Sequence, residues 1–160
     1  MKQAAITTRL ARAPNVGKRT NPPISAPITA PAVFAAEDKV RTRILVVDDS
    51  ITTRTLERNI LEGHGYDVTV ASDGQEAWDT VQRGRFDLVV TDIEMPRMSG
   101  LELTERIKAN KALVDLPVII VSSLSQDDEV RLGMEVGADA YLTKGVFETR
   151  VLIDAVSRLV

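Results

Sequence analysis

Ile44-Leu45-Val46-Val47, Leu88-Val89-Val90 and Val118-Ile119-Ile120-Val121 are unbroken runs of apolar residues, nearly all branched, with no polar alternation. A half-exposed strand alternates apolar with polar, so such runs belong to strands covered on both faces, as in a parallel sheet sandwiched between helices. Each run ends in oxygen-bearing side chains: Asp48-Asp49, Thr91-Asp92 and Ser122. Sheets of this kind bind ligands at their carboxyl edge. If the runs are neighbouring strands, Asp48, Asp49 and Asp92 meet there although more than forty residues separate the pair from the third. Any one of them alone reads equally well as a helix cap; three at matching strand ends read as a site. Crowded carboxylates repel unless a cation or a proton intervenes. Hard oxygen donors without cysteine or a histidine cluster favour Mg2+ or Mn2+ over zinc.

From Arg43 onward strand and helix signals alternate five times, the signature of an α/β fold built from βαβ units. Strands are predicted near residues 43–47, 67–71, 86–91, 117–121 and 139–143, with helices between them and at the end. Asp73 with Glu76, Ser99 with Glu102, and Ser125 with Asp128 have the spacing of capping boxes or their acidic variant. Gly63 and Gly65 are placed to close the first helix and Gly137 the fourth. Phe147, Val151, Leu152, Ala155, Val156 and Leu159 form one predicted apolar stripe on a final helix, which would complete the domain at Val160. Trp78 on a predicted helix reads as packing, and His64, between two glycines, as a turn residue.

The net charge of −3 hides a division, since residues 1–40 carry six basic against two acidic side chains and the rest carry 14 basic against 21 acidic, −7. An acidic folded part argues against nucleic-acid binding by the domain itself. Residues 1–41 are rich in Ala, Thr and Pro, including Asn21-Pro22-Pro23, and are expected to form a flexible basic tail or linker. No apolar stretch approaches the roughly 18 to 20 residues that cross a bilayer. Membrane insertion is not expected, and the absence of cysteine is compatible with the cytoplasm.

Asp48-Asp49, Asp92, Ser122 and Lys144, each after a predicted strand, resemble the response regulator receiver domain of two-component systems, over residues 42–160. Val47-Asp48-Asp49-Ser50-Ile51-Thr52-Thr53-Arg54 and Asp92-Ile93-Glu94-Met95-Pro96-Arg97-Met98 most resemble receivers of chemotaxis CheA-type hybrid histidine kinases. The resemblance implies a doubly wound, flavodoxin-like (CheY-like) sheet of five parallel strands in the order 2-1-3-4-5. It implies Asp92 as phosphoacceptor, with Mg2+ or Mn2+ held by Asp48, Asp49, Asp92 and the backbone carbonyl of Glu94. It further implies that Lys144 neutralises phosphoryl charge, that Ser122 bonds the attached group, and that Tyr141 is the aromatic that follows that hydroxyl. Glu94 and Leu124 occupy the positions that tune phosphoryl lifetime in the family.

By the same resemblance the chain is not an enzyme in the ordinary sense, although self-phosphorylation from small phosphodonors and autodephosphorylation are expected. The implied partners are a histidine kinase or histidine phosphotransfer domain, and a downstream protein on the face of the fourth helix, fifth strand and fifth helix, where Val130, Met134 and Tyr141 are candidates. No helix-turn-helix DNA-binding domain is expected. The implied context is chemotaxis or motility, with a phosphate sink or a phosphorylation-independent scaffold as alternatives. Gly145 follows Lys144 where many receivers have proline. A phosphatase of the haloacid dehalogenase type is disfavoured, because its two acids stand two apart, whereas Asp48 and Asp49 are adjacent and Ser50 takes the second slot.

Overall fold

The computed structural model describes residues 40–123, 126–144 and 149–160. Residues 1–39 of the expected N-terminal linker, Leu124, Ser125, Gly145 and Phe147 lie outside the described residues. In chain order the elements are β1 (Arg43–Val47), α1 (Ile51–Gly63), β2 (Asp67–Ala71), α2 (Gly74–Arg83), β3 (Leu88–Thr91), α3 (Gly100–Ala109), β4 (Val118–Ser122), α4 (Asp127–Glu135), β5 (Ala140–Thr143) and α5 (Thr149–Leu159). The strands form one sheet in the order β2-β1-β3-β4-β5, every pair parallel. This is the doubly wound CheY-like arrangement expected.

The apolar runs are unbroken because successive side chains feed two different cores. Leu45, Val47, Val89 and Val118 pack on one face of the sheet with Ala77, Val81, Leu103 and Ile107 of α2 and α3. Ile44, Val46, Leu88, Val90, Ile119 and Val121 pack on the other with Leu61 of α1 and Leu152 and Val156 of α5. Edge strand β2 has only Ala71 fully buried. The chain turns from β1 toward β2 and then crosses to β3 on the opposite side, so the strand order reverses between β1 and β3. A crevice opens at their carboxyl ends, the usual ligand position in such sheets.

Capping explains where the helices begin. Ser99 and Glu102 make the full reciprocal box expected at α3. At α2 the Asp73 side chain accepts from the N–H groups of Gln75 and Glu76, but Glu76 reaches back to Ser72 rather than to Asp73. The α4 start is a correction: Gln126 is the capping residue and its N–H donates to Glu129 at 3.2 Å, one position beyond the Ser125 and Asp128 pair. Three acids in succession, Asp127, Asp128 and Glu129, suit a helix N-terminus equally well and leave the register ambiguous. Gly65 and Gly137 both take positive φ, as residues closing α1 and α4 must. In α5, Leu152 and Val156 are fully buried, whereas Val151, expected on the same stripe, is 39% exposed. Trp78 packs against the core on the α2 and α3 side, and His64 caps α1 with its Nδ1 2.8 Å from the Ile60 carbonyl.

Candidate functional site

At the carboxyl edge the first three carboxylates meet. Asp48, Asp49 and Asp92 each offer an oxygen within 4.8 Å of the others, with Asp48 and Asp92 buried and Asp49 exposed. The sheet itself brings them together: the Asp92 N–H donates to the Val47 carbonyl at 2.9 Å and the Asp48 N–H to the Ala71 carbonyl at 3.2 Å, extending the ladders by one residue beyond the strands. Asp48 Oδ1 accepts from the Ser50 N–H at 2.7 Å, and Asp92 Oδ1 from the Ile93 N–H at 2.7 Å. These bonds fix one oxygen of each carboxyl group. Three clustered hard-oxygen donors, with no soft donor among them, fit a small divalent cation.

Lys144 follows β5, two strand spacings or about 10 Å from β3, a span that only a long side chain can bridge. Its ammonium lies 2.7 Å from Asp48 Oδ2 and 3.0 Å from Asp92 Oδ2. Burial pulls the Lys144 pKa down, but its bonds to Asp48 and Asp92 outweigh this and hold it above the ordinary lysine value. For Asp92, burial dominates and raises the pKa, although Lys144 and the Ile93 N–H act against it. Asp92 is thus a carboxylate stripped of water and held against a cation.

Ser122 is the last residue of β4 rather than the residue after it, and it is fully buried. It hydrogen-bonds the Tyr141 phenol, which lowers a phenol pKa that burial raises on balance. Tyr141 packs in turn against the small cluster of Ile93, Ile120 and Ala138. Glu94 is exposed in the loop after Asp92, while Leu124 lies outside the described residues.

That loop is braced from below. Arg97, at φ 66, sends its guanidinium to the buried carboxylate of Asp73, with Nε 2.9 Å from Oδ2. Burial raises the Asp73 pKa, but Arg97 and the N–H groups of Glu76 and Gln75 bring it below the ordinary range. Gly74 donates to the Met98 carbonyl and Gly100 to the Ile93 carbonyl, at 3.2 and 2.9 Å.

Residues 44–157 match the response regulator receiver domain. The chain belongs to that family. The receiver is 43% identical over 119 residues to a gliding motility regulatory protein of Myxococcus xanthus, covering 74% of this chain and 15% of that protein. It is 37% identical over 102 residues to the alkaline phosphatase synthesis transcriptional regulatory protein PhoP of Bacillus subtilis, covering 64% of this chain and 42% of that protein. The chain therefore spans less than half the length of these relatives. Among solved structures it resembles the chemotaxis protein CheY4 of Vibrio cholerae, with 30% identity and a TM-score of 0.70 over 75% of this chain and 99% of that one. It also resembles the response regulator TrrA of Thermotoga maritima, solved in complex with Mg2+ and BeF, with 36% identity and a TM-score of 0.67 over 74% of this chain and 99% of that one.

Sequence reasoning misses three residues around the carboxylate cluster. Asp73 reads only as a cap and Arg97 only as part of a motif, yet together they brace the loop after Asp92. Glu57 is the third, an acid on α1 with only 2% exposure. Its signal is available: Glu57 lies four residues before buried Leu61, on the stripe that faces the sheet. A carboxyl group there demands an explanation.

Proposed function

We propose that this receiver is a phosphoacceptor signalling module and that Asp92 is the residue modified. The observation that carries the reading is the position of Lys144, whose ammonium binds Asp48 and Asp92 together at 2.7 and 3.0 Å. A carboxylate attacking a phosphoryl group faces like-charge repulsion, and a fixed cation beside it lowers that barrier. An Asp92 oxygen forms a bond to phosphorus as the bond from phosphorus to the donor breaks. The donor atom is the imidazole nitrogen of a phosphohistidine or the acyl oxygen of acetyl phosphate, and it leaves with the electron pair. Mg2+ or Mn2+, held by Asp48, Asp49, Asp92 and the Glu94 carbonyl, supplies further positive charge to the phosphoryl oxygens when bound.

Ser122 and Tyr141 carry the output in this reading. A Ser122 hydroxyl that turns to a phosphoryl oxygen on Asp92 exchanges its bond with the Tyr141 phenol, which frees the ring to move. Tyr141 lies next to α4, where Leu132 and Met134 are 45% and 46% exposed, and Val130 is half-buried. This face, with β5 and α5, is the docking surface for a downstream protein. A histidine kinase or phosphotransfer domain is the donor, Glu94 and Leu124 tune the lifetime of the phosphoryl group, and the cytoplasm is the compartment. The likeness to the Myxococcus gliding regulator supports a motility-type pathway, and the motifs around Asp48 and Asp92 alone support kinship to CheA-type hybrid receivers. Residues 1–41 serve as the tether.

Incubation with Mg2+ and acetyl phosphate followed by intact mass measurement tests this. Wild type is expected to gain one phosphoryl group and Asp92→Asn none. An unmodified wild type, with acetyl phosphate and with a panel of histidine kinases, would instead favour a phosphorylation-independent scaffold.

A further inference from the structure

Phosphoryl transfer as described leaves one buried acid without a role. Glu57 projects from the middle of α1 and makes no hydrogen bond or ion pair with a described residue. The charged groups facing it are Asp48 at the end of β1, Asp92 after β3 and Lys144 after β5. Glu57 and Lys144 also share a cavity of about 270 Å3, whose other described walls are Thr53 and Leu56.

An ammonium group has three N–H donors. Two of those on Lys144 are directed at Asp48 and Asp92, which leaves the third for the cavity, where Glu57 is the one acid among the described walls. We propose that Glu57 is a positioning residue for Lys144: uncharged, it leaves the ammonium to Asp48 and Asp92, and ionised, it draws the ammonium back toward the cavity. A neutral carboxyl group attracts a cation weakly, whereas a carboxylate in a site shielded from water attracts it strongly. Burial first, and then the charges of Asp48 and Asp92, push the Glu57 pKa from 4.5 to about 8, against the opposing pull of Lys144. At neutral pH the acid is therefore held in its uncharged form. The consequence for phosphoryl transfer rests on the phosphoacceptor reading; the effect on Lys144 does not.

Two measurements separate these. In metal-free protein, the 15N resonance of the Lys144 ammonium is expected to shift with pH around 8 in wild type and to stay flat in Glu57→Gln. Glu57→Met serves as a second uncharged variant should the first fail to fold. With Mg2+ and acetyl phosphate, the rate of Glu57→Gln relative to wild type is expected to rise about threefold or more from acid to alkaline pH, as Glu57 ionises in wild type alone. Identical Lys144 titrations, or parallel rate profiles across pH, would overturn the role given to Glu57. A Lys144 titration that depends on Glu57, in a protein that acetyl phosphate never modifies, would uphold that role and sink the phosphoacceptor reading alone.

Discussion

Glu57 keeps its proton in the native protein at pH values where an unfolded chain has lost it, because burial penalises the charged form. The folded pKa is raised, so the native state binds the extra proton between pH 4.5 and about 8 and loses relative stability as pH rises through that window. Below the window both states are protonated, and above it both are ionised. Each tenfold difference in proton affinity between the two states is worth about 1.4 kcal/mol, so the effect across the window is on the order of 5 kcal/mol. Glu57→Gln removes the ionisation but keeps the shape. Chemical denaturation of metal-free protein is expected to give near-equal stabilities near pH 5 and a variant more stable than wild type by several kcal/mol near pH 9. Equal slopes of stability against pH for the two proteins would contradict the assignment. Asp73 behaves oppositely, since its pKa is lowered and its contribution fades as pH falls. Its replacement by Ala is expected to remove about 1–2 kcal/mol near neutrality, as loss of a helix cap does, and less in acid.

Two glycines show how the elements meet around the site. A Cβ on Gly100, the first residue of α3, would lie 1.8 Å from the Asp92 carbonyl oxygen, which is backbone and has nowhere to go. On Gly133, within α4, it would meet the Tyr141 ring at 2.9 Å and the Ile120 side chain at 3.2 Å. Alanine gains about 1 kcal/mol over glycine in a helix interior. That gain offsets the crowding at position 133 but not at 100. Gly100→Ala is expected to lose about 3 kcal/mol or more in thermal or chemical unfolding. Gly133→Ala is expected to stay within about 1 kcal/mol of wild type while displacing the Tyr141 ring, visible in its NMR shifts. A Gly100→Ala protein of full stability would show that α3 does not approach the Asp92 backbone this closely.

Elements also differ in how plainly the sequence declares them. The strands are legible because cores on both faces demand unbroken apolar runs within β1, β3 and β4, leaving no competing pattern. Small offsets remain where ladder bonds run past the apolar run, as at Ser122, which pairs with Thr143 and so lies inside β4. The α4 start is displaced by one residue because three consecutive acids fit the helix N-terminus in more than one register. Asp48, Asp49 and Asp92 announce themselves by ending strands. Arg97 does not, because its partner Asp73 is 24 residues away at the start of α2 and already has a local explanation as a cap. Glu57 is hidden among Arg54, Arg58 and Glu62, in a helix whose charges read as a solvated face.

Across the whole molecule, the proposed function asks a site at one edge of the sheet to influence an exposed face. In that proposal the coupling runs from a phosphoryl group on Asp92 to Ser122, and then along neighbours that the fold already joins, Ser122 with Tyr141 and Tyr141 with Gly133 of α4. Taking such a domain from mostly inactive to mostly active needs roughly 3–5.5 kcal/mol of differential stabilisation, within reach of a few charge-assisted hydrogen bonds to a phosphoryl group. All of this depends on an acyl phosphate forming at one position. Borohydride reduces an aspartyl phosphate to homoserine and leaves free carboxylates untouched, so peptide mass mapping after treatment with acetyl phosphate, Mg2+ and borohydride locates the phosphoryl group directly. Homoserine at position 92 alone is the predicted result; aspartate there, or homoserine at 48 or 49 instead, would contradict it.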